Sequence, residues 1–89
     1  MYISKEKKEK ISEQILAYLY LTNPKPLFTS HIAKEIARDE EFVKTLLKEL
    51  KKKDLVAEIT KNPQGKDYIK RSRWKLSEKT YTLYKQKQS

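Results

Sequence analysis

LVAEITKNPQGKDYIKRSRWKLS, residues 55–77, is the stretch on which the fold of this chain turns. Residues 55–61 alternate weakly, and Val56, Ile59 and Thr60 suit a half-buried strand. Asn62-Pro63-Gln64-Gly65-Lys66 is a turn-forming run, and residues 68–76 make the return strand. Side chains alternate across a strand, so Arg71, Arg73 and Lys75 share one face while Ser72, Trp74 and Leu76 share the other. The product is a basic β-hairpin with an apolar phase, Trp74 above all, by which a folded body can hold it. Lys61, Lys66, Lys70, Arg71 and Arg73 surround its turn, with only Asp67 opposing them. A cationic arm of this kind suits a polyanion.

The charge of the whole chain points the same way. The net charge is +9 over 89 residues, but residues 1–50 carry nine Lys/Arg against eight Asp/Glu, whereas residues 51–89 carry 12 against four. Such asymmetry focuses a positive field on one half of the molecule. Other chemistry is poorly supplied. There is no cysteine, which excludes disulfides, thiolate chemistry and a Cys-rich zinc site. A single histidine, His31, leaves no histidine-built metal or triad site, and a single glycine, Gly65, leaves no Gly-rich phosphate loop. Glu40 and Glu41 are explained by the start of a helix rather than by acid/base chemistry. An enzyme is therefore not expected, nor a metal or cofactor. With no apolar run of membrane-spanning length and no signal-peptide pattern, the expectation is one cytoplasmic domain over residues 1–89 with no membrane partner.

Working outward from the hairpin, the apolar spacings predict four helices. Helix 1, about residues 6–21, carries Ile11, Ile15, Leu16, Tyr18 and Leu19 on one stripe, with Ser4 as N-cap. Pro24 and Pro26 end it, and Leu27-Phe28 can make a short extended piece. Helix 2, about 30–37, is expected to be capped by Thr29 or Ser30 and to bury Ile32, Ala33 and Ile36. Helix 3, about 40–53, starts on Asp39 and buries Phe42, Val43, Leu46, Leu47 and Leu50. The very short turn between them makes a helix-turn-helix. After the hairpin, Ser77 caps a last helix over about 78–87.

Two segments carry a family resemblance. DEEFVKTLLKELKKKDLV, residues 39–56, resembles the recognition helix and exit of MarR-, PadR- and ArsR-like regulators, with Val43, Leu46, Leu50, Leu55 and Val56 at the matching positions. RWKLSEKTYTLY, residues 73–84, is similar to the aromatic-x-Leu-Thr close of the same domains, with Trp74, Leu76 and Ser77 in those places. The resemblance spans about Ile11 to Tyr84. Asp54 stands where such families commonly have glycine, and Lys79 or Thr80 where they often have another. The resemblance implies an α+β winged helix-turn-helix: a three-helix body, a β-hairpin wing and a C-terminal helix. It implies binding to double-stranded DNA as a dimer in transcriptional control.

Carried onto this chain, the expected DNA-binding residues are Ser30, Lys34, Lys44, Thr45 and Lys48 on the helix-turn-helix, and Lys61, Lys66, Lys70, Arg71 and Arg73 on the wing. Taken alone, Lys44 and Lys48 read more readily as an ordinary solvated face than as DNA contacts. Asp39, Glu40 and Glu41 put three carboxylates where groove-reading residues usually cluster, which would repel phosphates. The wing and the later lysines are therefore expected to carry most of the affinity. The acidic start of helix 3 also suits a protein partner, which keeps a protein-interaction module as the second reading and RNA binding as a third. Tyr18, Tyr20 and Leu21 add apolar surface to helix 1, and Tyr81 and Tyr84 suit either satellite core against that helix or a dimer seam; a homodimer is expected through the terminal segments, with Ile3, Tyr18, Tyr81 and Tyr84 at the seam.

Overall fold

A computed structural model of the chain describes residues 4–60 and 72–88. The N-terminal helix α1 spans Lys5–Thr22 and buries Ile11, Ile15, Leu16 and Leu19. Its cap is the expected one: the Ser4 hydroxyl accepts from the Lys7 amide at 3.3 Å. A two-residue strand β1, Leu27–Phe28, leads into α2, Thr29–Glu35, and then α3, Glu40–Lys52. Asp39 caps α3 by accepting from the Phe42 amide at 3.1 Å. Val43, Leu46, Leu47 and Leu50 form its buried stripe. Each such aliphatic burial contributes about 1.5–3 kcal/mol, so this stripe is a large share of what holds α3 in place.

α2 and α3 end in the same way. The Arg38 amide donates to Ala33 O at 2.9 Å and the Ala37 amide to Lys34 O at 3.2 Å; the Leu55 amide donates to Leu50 O at 2.9 Å and the Asp54 amide to Lys51 O at 3.0 Å. These paired bonds define a Schellman end, which needs a left-handed residue at its pivot. The pivots are Ala37 at φ 57° and Asp54 at φ 62°. Asp54 tolerates that backbone as expected. Ala37 corrects the expected helix 2, which stops at Glu35 instead of running to residue 37. A Cβ in the left-handed region costs about 1–2 kcal/mol, partly offset in glycine by its larger loss of chain entropy. Ala37→Gly is therefore expected to raise unfolding stability by about 0.5–1 kcal/mol, read as a higher denaturant midpoint at unchanged slope. A lower midpoint would show that the Cβ is not strained.

Strands β2, Val56–Ile59, and β3, Arg73–Leu76, pair antiparallel, and β3 also pairs with β1, giving the order β1-β3-β2. Trp74 lies opposite Leu27 on one side and Glu58 on the other; Arg73 lies opposite Phe28 and Ile59. Leu27, Val56, Trp74 and Leu76 thus form an inner face, and all four are buried against the helices. This matches the phase expected for residues 73–76. Thr60 and Ser72, expected in the strands, lie just beyond them, and residues 61 and 68–71 lie outside the described residues. Leu55, expected in the strand, instead follows the α3 pivot and packs half-buried on the core.

One expected cap is replaced. Phe28 occupies the N-cap position of α2, with no side-chain cap bond. The Thr29 hydroxyl instead accepts from the indole Nε1–H of Trp74 at 2.8 Å. A buried N–H without a partner costs about 1–3 kcal/mol, as much as a cap contributes or more, so the indole takes the hydroxyl. The last helix, α4, spans Glu78–Gln88. Ser77 caps it as expected, accepting from the Thr80 amide at 3.2 Å, while its hydroxyl donates to Asp54 O at 2.9 Å. That second bond ties the start of α4 to the end of α3.

Candidate nucleic-acid interface

Opposite the buried stripe of α3, its exposed side presents Glu41, Lys44, Thr45, Lys48, Lys51 and Lys52 at helical spacing. Lys44, Thr45 and Lys48 thus share one open surface, with Lys34 exposed and Ser30 half-buried on α2. The Thr45 hydroxyl donates to Glu41 O at 3.0 Å, bending back onto its own helix. Asp39, Glu40 and Glu41 are exposed at the start of α3. There they meet the positive end of the helix dipole, which accounts for them locally.

On the wing, Lys61, Lys66, Lys70 and Arg71 lie outside the described residues. Arg73 is half-buried on the outer face of the sheet, its guanidinium carbon 5.5 Å from the centre of the Phe28 ring. Phe28 in turn meets His31 edge-on at 6.0 Å. Arg73 is therefore held by β1 and by an aromatic face, a contact of about 0.5–1 kcal/mol.

Sequence reasoning passed over Glu58. It stands in phase with Val56 and Trp74, on the inner side of β2. Its Oε1 accepts from Lys51 Nζ at 2.7 Å and its Oε2 from the Ser72 hydroxyl. The Lys51 bond, then the Ser72 bond, hold its carboxyl below the usual carboxylate range, against the opposing effect of partial burial. A depressed carboxyl adds stability above its ordinary titration range, and that contribution fades as pH falls through the lowered value. The signal was available in the sequence: an acid in the apolar phase of a strand must find a partner.

The terminal helices meet through a residue that the sequence did not single out for this. Tyr20 of α1 packs against Tyr81 and Tyr84 of α4, with ring centres 5.5 and 5.6 Å apart. Tyr81 and Tyr84 are half-buried by this contact within the chain, and Tyr18 is half-buried on the core. Desolvation, with help from the charge of Glu13, raises the Tyr84 phenol above its ordinary range. Leu21 is 79% exposed and Leu83 49%, large apolar side chains on these same two helices. Ile3 lies outside the described residues.

Three helices, an antiparallel sheet made by a short strand and a hairpin, and a closing helix define the winged helix-turn-helix class. Solved structures agree. The S. aureus MepR–DNA complex matches 93% of this chain and 65% of its own at 25% identity and a TM-score of 0.74. Lactococcus lactis ZitR, as the E41A mutant, matches 84% of this chain and 49% of its own at 20% identity and a TM-score of 0.62. The PcaV transcriptional regulator of Streptomyces coelicolor, in complex with its natural ligand, matches 93% and 51% at 14% identity and a TM-score of 0.62. These neighbours are winged-helix regulators of the MarR family, and the chain spans about half to two thirds of their length. No family model matches the sequence. No curated protein matches it either. Among the described residues no group of three or more His, Cys, Asp or Glu could hold a metal ion, and no helix is long and apolar enough to cross a membrane.

Proposed function

We propose that this chain binds double-stranded DNA as a homodimeric transcriptional regulator. The observation that carries the proposal is the open lysine stripe of α3, Lys44, Lys48, Lys51 and Lys52, on a winged helix whose second half holds 12 of the 21 Lys/Arg. The likeness to MepR, seen in complex with DNA, supports the same partner. In this proposal Lys34, Lys44 and Lys48 meet phosphates along the groove that α3 enters. Lys61, Lys66, Lys70 and Arg71 extend that contact through the wing. Glu40 and Glu41 sit at the edge of the contact, where they cost least. The second chain joins through α1 and α4, where Leu21 and Leu83 remain uncovered.

A titration of equal-length duplex DNA, single-stranded DNA and RNA, with the mass of the free protein measured in solution, tests this. The expected result is tightest binding to the duplex by a particle of two chains. Lys44→Ala and Lys48→Ala are each expected to weaken all duplexes about equally and to lower the salt slope by about one. A loss confined to one sequence would make that lysine a reader of bases. Unchanged duplex affinity in both variants would take α3 off the DNA.

A further inference from the structure

We infer that Glu58 is the positioning residue of the wing: its carboxylate fixes the angle between α3 and the hairpin, and so the affinity for duplex DNA. The inference rests on the DNA reading above and deepens it. One carboxylate here joins three segments. Lys51 is in the last turn of α3, Glu58 is on the outgoing strand β2, and Ser72 immediately precedes the return strand β3. Each oxygen of Glu58 takes one partner: the Lys51 bond ties α3 to β2 and is lost if helix and hairpin swing apart, while the Ser72 bond ties the two strands of the hairpin to each other. Among the described residues the strands are four residues each, and the register runs from Val56 opposite Leu76 to Ile59 opposite Arg73. The Glu58 contacts therefore lie beside the last described pair, where the strands run on toward the wing.

Charge makes the case sharper. Lys48 also lies close enough to lower the Glu58 carboxyl, which places this acid beside the lysine stripe proposed to face phosphates. An acid at that place weakens the attraction to a polyanion. Its contribution must then be geometric: it holds Lys48, Lys51 and the wing in one arrangement before DNA arrives, and so removes part of the ordering cost of binding. The Glu58 side chain is 19% exposed and that of Lys51 53%, so the acid's end of the pair is shielded from solvent while the lysine's end is open.

The test turns on opposite signs. Glu58→Gln removes a negative charge, so simple attraction to DNA predicts tighter binding. A positioning role predicts binding weaker by about fivefold, the loss of one charge-assisted bond. Hydrogen exchange on the free protein supplies a readout without DNA. In Glu58→Gln the amides of residues 58, 59, 73 and 74 should exchange faster while those of α1 stay unchanged. Tighter or equal binding by Glu58→Gln, or unchanged exchange at the hairpin root, overturns the inference. If exchange rises as expected but the unaltered protein does not bind duplex DNA, the strut stands as a property of the fold and the proposed function fails.

Discussion

Raising monovalent salt from about 50 to about 200 mM is expected to weaken duplex binding about a thousandfold for each chain bound. Double-stranded DNA holds condensed counterions, and every phosphate neutralised by a cation releases part of that atmosphere. The logarithm of affinity then falls linearly with the logarithm of salt, by about 0.9 per phosphate contacted. Lys34, Lys44 and Lys48 on the helices, with Lys61, Lys66, Lys70 and Arg71 on the hairpin, supply the cations for about six contacts per chain, hence a slope near −5 for each chain bound and about twice that for the dimer. A slope shallower than about −2 would mean that few of these side chains reach phosphates, and the proposed interface would fail. The wing can be tested within the same measurement. Arg71→Gln is expected to remove about one unit of slope and to weaken every sequence alike. Arg73→Gln is expected to behave differently, because the Arg73 guanidinium lies over Phe28 on the sheet. It should cost some folding stability, with little change in the salt slope.

Where the sequence was legible, the reason was local. Helical spacing in Val43, Leu46, Leu47 and Leu50 identified the buried face of α3, and the same spacing left Lys44 and Lys48 on the open one. Alternation in residues 73–76 placed Trp74 and Leu76 inward, as they are. Asp39 and Ser77 were legible as caps because a short polar side chain before an apolar run has few other uses. What was not legible depends on residues brought together from afar. Thr29 reads as a cap until Trp74, 45 residues later, places an indole N–H against it. Arg73 reads as a free wing cation until β1 pairs with β3 and puts Phe28 beneath it. Glu58 stands in the apolar phase of its strand, which calls for a partner, but only the fold, by bringing Lys51 within 2.7 Å, says which one. Tyr20 reads as surface until α4 returns over it. In these cases local preference named the kind of side chain and tertiary contact chose its partner. The candidate interface was legible as a charge distribution, while the struts that orient it were not.

Replacing Trp74 with alanine is expected to cost about 3–5 kcal/mol, the largest single loss of stability available in this chain. Trp74 is 1% exposed, occupies the central strand of the sheet, and packs with the core that α1 and α3 complete. A domain of this size has about 4–13 kcal/mol in total, so the variant should be partly unfolded near physiological temperature, visible as lost helical circular dichroism. The loss has two sources, a cavity and a broken bond. Trp74→Phe keeps most of the ring but leaves the Thr29 hydroxyl without the indole donor; Thr29→Val keeps the ring and leaves the indole N–H with no acceptor. Each is expected to cost about 1–3 kcal/mol, and the double variant less than the sum of the two, because the second change removes a group already stranded. Strict additivity would mean that the bond contributes nothing and that Trp74 acts through volume alone. The same series separates folding from binding. Trp74 offers no surface to DNA, so at a temperature where Trp74→Phe is folded its duplex affinity and salt slope should equal those of the unaltered protein. A reduced slope there would mean that the centre of the sheet sets the reach of the wing, and that Glu58 shares its positioning role with Trp74.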